Sequence, residues 1–348
     1  MNDKLRNILK AANKETEVFK TSDGSEVLMM SFGGRVLGLF APGSDENFYW
    51  TNTALDSEES AIAAIGDGQF LHTGGDRTWM SPEIDFFMPE FPNRDVYIQP
   101  RPLDPGNYKF VREDGKTKMV NELTLTVSRT KKNVDLRITK WLGDAPNPLR
   151  YQRGFDLSGI EYAGYTQYAT LEMLSDPNES TVGLWNLVQM PFGGDLIIPT
   201  YGKSEAKIYF GDIKDKVTSK DGLIVFKMDL QGEHKIGVRA TATAGRVGYL
   251  YDTGKDGKWA VIIRNFIVNP SGEYIDVPWQ DIEEFGYSTQ ACNVNSALGQ
   301  FNELEYHIPA IGKGTGRCKC DDQAQVWAFR GSKEKMLSVV KTLLSSVY

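Results

Sequence analysis

The chain contains few of the residues that stabilise small disulfide-rich or metal-dependent proteins. Its 348 residues include three cysteines, Cys292, Cys318 and Cys320. Three is too few, and odd in number, for a disulfide framework. On a strand, Cys318 and Cys320 would share one face, but no second Cys or His pair follows to complete a zinc site. We therefore predict no bound metal and no other cofactor.

Histidine, excess positive charge and long apolar runs are also scarce. The formal net charge is −7, and lysine and arginine are scattered, which argues against a nucleic-acid partner. No stretch is long enough to span a bilayer, so we predict no membrane partner. Residues 1–17 lack the apolar centre of an export signal. The sequence as given predicts a cytoplasmic protein, or a periplasmic one if an export signal has been removed.

The apolar residues are arranged in short alternating segments separated by turns. Residues 26–32 and 35–40 flank a Gly-Gly turn, and residues 121–128 and 134–141 flank a short polar turn, so each pair predicts a hairpin. Many short strands at roughly ten-residue spacing are typical of a sandwich or barrel. We predict one all-β domain spanning residues 1–348.

Helical spacing of apolar residues is confined to three segments. They are residues 2–17, residues 58–65 and residues 332–347. Ser332 is a suitable N-cap for the last of them. We expect this C-terminal helix to pack on the edge of a sheet, and the alternative is a helix that binds a partner.

Residues 70–83 combine conformational freedom with several polar side chains. The neighbouring Gly74 and Gly75 would let the backbone approach a ligand closely. The segment offers an imidazole, a carboxylate, a guanidinium and an indole, on His72, Asp76, Arg77 and Trp79. A sugar needs hydrogen-bond donors, acceptors and an apolar plate, so this mixture favours a carbohydrate site. The alternative is a surface turn with an ion pair.

Two further segments carry candidate site residues. In a strand at residues 301–309, Glu303, Glu305 and His307 would point to one face, away from the core. They are either solvated, or they line a cleft in which repulsion between the carboxylates raises one pKa and creates a base. In residues 182–195, Trp185 with Asn186 or Gln189 offers an indole and an amide, and the alternative is a core tryptophan followed by a turn. The aromatic, proline-rich residues 82–105 predict an ordered loop over a site.

The order of these segments resembles that of the galactose mutarotases and related aldose 1-epimerases. The resemblance rests on LHTGG at residues 71–75, LWNL at residues 184–187 and LEYHIP at residues 304–309. Bacterial members of the galactose mutarotase-like superfamily are similar in further motifs. These are GGDRTWMSPE at residues 74–83, KIG at residues 235–237 and ELE at residues 303–305. The resemblance covers roughly residues 25–330.

The resemblance implies a supersandwich of antiparallel sheets whose concave face binds a pyranose. It also implies that Glu305 removes the proton from the anomeric hydroxyl and that His72 binds the sugar. The family's catalytic acid is a histidine, but the matching position here is Val182. His307 could supply the acid instead, or it could be a structural histidine.

The sequence therefore predicts a carbohydrate-binding protein. The activity that the resemblance implies for it is that of an aldose 1-epimerase (mutarotase)-type isomerase. The alternatives are a non-catalytic carbohydrate-binding module on the same scaffold and, ranked below it, a glycoside hydrolase or lyase. The predicted partner is a small-molecule sugar. The predicted catalytic residues are Glu305 and His307. The predicted sugar-binding residues are His72, Asp76, Arg77, Trp79, Trp185, Asn186, Gln189, Lys235, Arg264 and Glu303.

Overall fold

The computed structural model describes residues 3–213 and 215–348. This part of the chain contains four α-helices, α1 (Asp3–Ala11), α2 (Glu58–Ile65), α3 (Glu83–Phe86) and α4 (Lys333–Leu343). It also contains 3-10 helices at Thr53–Leu55 and Pro148–Tyr151 and a π-type turn at Pro102–Gly106. The rest of its regular structure is extended, as the alternating apolar pattern predicts. The strands in the same residues are β1 (Thr16–Lys20), β2 (Glu26–Met30), β3 (Arg35–Phe40), β4 (Gly75–Ser81), β5 (Lys109–Glu113), β6 (Lys116–Thr126), β7 (Asn133–Asp144), β8 (Glu161–Met173), β9 (Thr181–Pro191), β10 (Asp195–Pro199), β11 (Lys207–Phe210), β12 (Val217–Lys220), β13 (Leu223–Lys227), β14 (Gly232–Arg239), β15 (Arg246–Asp252), β16 (Lys258–Phe266), β17 (Tyr287–Ser296), β18 (Gly299–His307), β19 (Ile311–Gly312) and β20 (Lys319–Ser332).

The strands of the described residues pair into two antiparallel sheets. The first sheet has the order β1-β2-β3-β4-β9-β18-β17-β14-β11, with β19 paired to β9. The second has the order β12-β13-β10-β15-β16-β20-β8-β7-β6-β5. This architecture confirms the predicted all-β supersandwich of antiparallel sheets. Both predicted hairpins are present, as β2 with β3 and as β6 with β7.

The largest apolar core lies between the two sheets. Leu304 of the first sheet belongs to the same buried cluster as Ile262 and Val326 of the second. Removing apolar surface from water stabilises such a layer by roughly 25 cal/mol per Å². Because side chains alternate along a strand, Leu304 in the core places Glu303 and Glu305 on the opposite face of β18, as predicted.

Helix α1 ends earlier than the predicted range of residues 2–17, of which residue 2 lies outside the described residues. Asn13 adopts a left-handed conformation with a φ of 56°. The Lys14 amide then donates to the Leu9 carbonyl at 2.8 Å, which closes the helix in a Schellman-type cap. The chain leaves this cap in extended form and continues as β1.

Helix α4 packs on a sheet face and not on the predicted edge. Its Val339 and Val340 share a buried cluster with Ile263 on β16, an inner strand of the second sheet. The predicted N-cap is confirmed, because Ser332 accepts a hydrogen bond from the Lys335 amide at 3.3 Å. The prediction of a helix at residues 58–65 is also confirmed, by α2. Within the described residues, no helix has both the length and the apolar character needed to cross a membrane.

The paired glycines before Asp76 approach protein backbone rather than a ligand. Gly75 has a φ of 71°, and a Cβ atom added to it would lie 2.2 Å from the Val36 carbonyl oxygen. A Cβ atom on Gly74 would lie 2.1 Å from the Trp50 carbonyl oxygen. Because only glycine allows these close approaches, β4 packs directly against its neighbours. The positions of the side chains that follow along β4 depend on this packing.

The substitution Gly75→Ala is expected to lower the free energy of unfolding by about 3 kcal/mol or more, because a left-handed φ and a backbone collision both oppose it. Gly43 is a matched control, with a φ of 73° and no atom within 4 Å of an added Cβ. Gly43→Ala is expected to cost about 1 kcal/mol. Urea unfolding measures both values, and equal losses would contradict the close-approach explanation.

Candidate functional site

The face of the first sheet that points away from the second sheet carries a cavity of about 440 Å³. Strand register assembles its floor. Glu303 on β18 lies opposite Gln189 on β9 and Cys292 on β17. Cys292 lies opposite Lys235 on β14. Opposite residues in adjacent strands point to the same face, so side chains that are remote in sequence project together.

The cavity has a buried floor and an open mouth. The floor includes side chains of residues that are at most 8% exposed: His72, Arg77, Trp79, Glu83, Trp185, Lys235, Cys292, Glu303 and Glu305. The mouth includes half-buried or exposed residues: Arg94, Tyr97, Gln99, Phe210, Glu233, Trp279 and Leu298. The first three come from the proline-rich segment at residues 82–105, which therefore borders the cavity.

Glu305 is a fully buried carboxylate at the floor. Its Oε2 accepts a hydrogen bond from Trp185 Nε1 at 2.8 Å and lies 3.2 Å from Lys235 Nζ. Its Oε1 has no hydrogen-bond partner among the described residues. Burial raises the pKa of Glu305 to about 8, although the Lys235 ammonium lowers it. Burial also raises the pKa of Glu303. A carboxylate that titrates near neutral pH is suited to act as a general base.

Lys235 is a buried cation shared by two carboxylates. Its Nζ lies 3.2 Å from Glu305 Oε2 and 3.4 Å from Glu83 Oε2. Burial lowers the pKa of Lys235, but the negative charges of Glu305 and Glu83 raise it by more, so the amine stays protonated. The floor of the cavity therefore holds a positive charge directly beside its candidate base.

A second hydrogen-bond network fixes the tautomer of His72. Glu303 Oε1 accepts hydrogen bonds from Arg77 Nη2 at 2.8 Å and from Gln189 Nε2 at 3.0 Å. Arg77 Nη1 and Gln189 Nε2 each also lie 3.2 Å from His72 Nδ1. Both are donors, so Nδ1 must accept and Nε2 carries the proton. Burial and then the Arg77 charge lower the pKa of His72, which keeps the ring neutral. Its Nε2–H has no partner among the described residues.

The two tryptophans predicted as stacking plates are covered. The Lys235 ammonium lies 4.2 Å from the centroid of the Trp185 ring, and the His307 ring stacks on the same indole at 5.8 Å. The Arg77 guanidinium lies 3.9 Å from the centroid of the Trp79 ring. Trp185 and Trp79 are only 2% and 3% exposed, which leaves no face for a sugar. Trp185 instead acts through its indole N–H, which holds Glu305.

Asp76, Asn186 and Arg264 were predicted to bind the sugar, but they do not line the cavity. These residues point into the layer between the sheets, because Asp76 and Asn186 alternate along their strands with residues that face the cavity. Arg264 Nη2 donates to Asp76 Oδ2 at 2.9 Å, and both side chains are 0% exposed. Asn186 Oδ1 accepts a hydrogen bond from Thr78 Oγ1 at 2.7 Å, and its Nδ2 donates to Asp322 Oδ2 on β20 of the second sheet at 3.4 Å. The three residues therefore join the two sheets and do not line the cavity.

Gln189 and His307 lie on the cavity face but beneath its lining. Gln189 is 0% exposed and holds His72 and Glu303 in place. His307 is 1% exposed, and its Nε2 lies 4.0 Å from Asp276 Oδ2. Burial lowers the pKa of His307 well below its usual range, so the ring is neutral. His307 was predicted as a catalytic acid, but its ring stacks on the Trp185 indole and does not line the cavity.

Sequence reasoning missed several residues that line the cavity. Glu83 accepts hydrogen bonds from Tyr97 at 2.6 Å and from Trp279 Nε1 at 3.0 Å. It is the last residue of the GGDRTWMSPE motif, so that motif could have identified it as a site residue. Cys292 could have been found only from the register of β17 against β18. Phe210 and Trp279 had no signal beyond their aromatic character, since they come from an edge strand and a loop.

Cys292, Glu303 and Glu305 are the described residues grouped most like a metal site. Their ligand atoms lie within 4.8 Å of one another. The Lys235 ammonium already supplies positive charge 3.2 Å from Glu305. A metal cation bound there would lie beside this ammonium and be repelled by it.

The chain that forms this cavity matches a known protein family. Residues 3–347 match the model of a family of unknown function, DUF6786. The chain belongs to this family. The DUF6786 match spans both sheets and every residue of the cavity. A search of curated proteins finds no relative of the chain.

Several solved structures are similar in fold to this DUF6786 chain. A galactose mutarotase-like protein from Lactobacillus casei has 11% identity and a TM-score of 0.47, over 91% of this chain and 100% of that one. A galactose 1-epimerase from Lactobacillus acidophilus has 8% identity and a TM-score of 0.43, over 92% and 95%. A GalM/aldose epimerase homologue from C. elegans has 8% identity and a TM-score of 0.41, over 92% and 100%.

Proposed function

We propose that the cavity binds a pyranose and that Glu305 removes the proton from its anomeric hydroxyl. The observation that supports this is the buried Glu305 carboxylate, which has an unpartnered oxygen beside a charged lysine at the floor of the cavity. A cavity of several hundred Å³ is typical of a small-molecule site. Around Glu305 the floor offers the donors of Arg77 and of His72 Nε2, and the acceptors of Glu303, for sugar hydroxyls.

The proposed reaction needs a proton donor for the ring oxygen, and Lys235 supplies it. Glu305 takes the proton of O1, the C1–O5 bond breaks, and O5 takes a proton from the ammonium to give the open-chain aldehyde. O1 and O5 are bonded to the same carbon, so a base and an acid 3.2 Å apart can reach both. Once Glu305 is neutral, it no longer raises the pKa of Lys235, and the ammonium becomes a stronger acid. Rotation about C1–C2 and the reverse steps give the other anomer.

Access to the base requires one side chain to move. Glu305 and Lys235 are 0% and 2% exposed, so an incoming hydroxyl meets a covered floor. The lysine has a flexible four-carbon stem, and we infer that its ammonium, which lies against Glu305 Oε2, shifts when the sugar enters. The same shift carries the ammonium towards the ring oxygen of the sugar.

Binding without catalysis is the second candidate function. It is favoured by the position of the residues that would replace the family's acid: Val182 is 0% exposed, and His307 lies under the Trp185 ring. If Lys235 does not release its proton, the same cavity still binds a sugar. Fold alone does not separate the two functions.

Anomer exchange of free sugars tests the proposal. We expect the intact protein to accelerate exchange, in proportion to its concentration, for at least one of D-glucose, D-galactose, D-xylose and D-glucuronate, measured by NMR exchange spectroscopy. Titration calorimetry on the same sugars measures binding. Binding without accelerated exchange would favour the binding module, and neither effect with any sugar would contradict both functions.

A further inference from the structure

Three aromatic side chains at the mouth of the cavity differ from the buried indoles at its floor. We call Tyr97, Phe210 and Trp279 the mouth aromatics. All three are half-buried and line the cavity. The Trp279 ring lies 4.8 Å from the Phe210 ring and 6.1 Å from the Tyr97 ring, measured between centroids. They form a continuous aromatic wall that is partly open to a ligand.

Two of the mouth aromatics, Tyr97 and Trp279, are held in place by hydrogen bonds from their polar groups, and Phe210 packs against Trp279. Glu83 accepts a hydrogen bond from the Tyr97 hydroxyl at 2.6 Å on one oxygen and from Trp279 Nε1 at 3.0 Å on the other. Lys235 lies 3.4 Å from the same carboxylate, which connects the wall to the floor. Rings that are fixed in this way lose little conformational freedom when a ligand packs on them.

The floor cannot provide such a surface. Its indoles, Trp79 and Trp185, are covered by Arg77 and Lys235, and they are 3% and 2% exposed. The apolar contact that a sugar ring makes through its C–H face is therefore available at the mouth and not at the floor. A single pyranose bound at Glu305 would make polar contacts and leave the mouth aromatics largely uncovered.

We propose that the mouth aromatics form a second sugar subsite and that the ligand is the reducing end of a 4-linked disaccharide or longer glycan. This inference rests on the proposed binding of a pyranose at Glu305. C1 and C4 lie at opposite ends of a pyranose ring, so a ring with C1 at the floor directs its C4 substituent to the mouth. The next sugar unit then lies against Trp279 and Phe210. Arg94, Gln99 and Glu233 border the same opening and provide hydrogen-bonding groups for its hydroxyls.

The test compares the affinities of single sugars and their 4-linked disaccharides by titration calorimetry. The probes are D-glucose with cellobiose and maltose, and D-galactose with 4-galactobiose. We expect a disaccharide to bind on the order of tenfold more tightly than its single sugar, because it buries additional apolar surface. In Trp279→Ala and in Phe210→Ala this ratio is expected to fall to about one. The control Trp259→Ala, a half-buried indole on β16 beside Lys333, should keep the wild-type ratio.

The outcomes separate the subsite from the proposed function. Binding of a single sugar with no gain for any 4-linked disaccharide would overturn the second subsite and leave the Glu305 site standing. A gain that persists in both Trp279→Ala and Phe210→Ala would also overturn it. Failure of every probe to bind the wild-type protein would overturn the proposed function and this inference together.

Discussion

Glu305→Gln is expected to lower the protein-catalysed rate of anomer exchange by about 10²–10⁴-fold. Glutamine keeps the size of the side chain and an oxygen that can accept the Trp185 indole hydrogen bond, but it cannot take the proton of O1. The measurement is the slope of the exchange rate against protein concentration. Because the side chain is fully buried, thermal unfolding of the variant should be compared with wild type before the rates are interpreted.

A matched control for this variant is Glu179→Gln. Glu179 is 48% exposed at its side chain and pairs with Lys132 at 2.9 Å, on the surface of the protein. Its replacement is expected to leave the exchange rate within a factor of about two, because Glu179 does not line the cavity and an exposed ion pair contributes little to stability. Equal rates for Glu305→Gln and wild type would exclude Glu305 as the base. If sugar affinity were retained in that case, the binding module would be favoured.

The pH dependence of the same reaction follows from the position of Glu305. Burial raises the pKa of Glu305 to about 8, so below this pH the carboxyl is protonated and cannot accept the proton of O1. The catalysed part of kcat/KM should therefore rise with pH up to about 8 and then level off. In Glu305→Gln this inflection is expected to disappear. A catalysed rate that does not change across this range would contradict the assignment.

Asp76→Ala is expected to lower the free energy of unfolding by about 3–5 kcal/mol. Asp76 Oδ2 accepts hydrogen bonds from Arg264 Nη2 and from the Tyr165 hydroxyl, both at 2.9 Å, in the layer between the sheets. Without the carboxylate, a guanidinium that is 0% exposed has lost its counter-charge. Urea unfolding at constant pH measures the loss.

A double variant separates the lost charge balance from a general loss of packing. In Asp76→Ala/Arg264→Met both charges are absent, and the double variant is expected to be more stable than Asp76→Ala alone. The surface substitution Glu179→Ala provides the scale for an exposed pair, at about 0–1 kcal/mol. If the double variant lost the sum of the two single losses, the buried ion pair would not explain the effect.

Much of the fold could be predicted because it follows from local pattern. The alternation of apolar and polar residues in β18 predicts that Glu303 and Glu305 point away from the core. The two hairpins follow from turn residues between alternating segments. Helix α2 matches its predicted range. The C-terminal end of α1 could not be predicted as well, because apolar spacing alone does not show that Asn13 closes the helix in a left-handed conformation.

The candidate site could be predicted only in part. The three segments named from the sequence all contribute to the floor, through residues such as Arg77, Trp185 and Glu305. Asp76 and its neighbour Arg77 were both predicted to bind the ligand, although successive side chains on a strand point to opposite faces of the sheet. The sequence also could not show that a cation would cover each floor indole, because Lys235 reaches Trp185 only through strand pairing.

The sequence by itself determined the strands, the turns and which residues alternate with which, since these depend on neighbours in the chain and on the period of two along a strand. The tertiary structure decided which face of the first sheet the second sheet covers, and so which polar residues became ion pairs of the interior and which became the floor of a cavity. It also brought Phe210 and Trp279 to the mouth. These outcomes depend on the pairing of strands far apart in sequence, which no local pattern specifies.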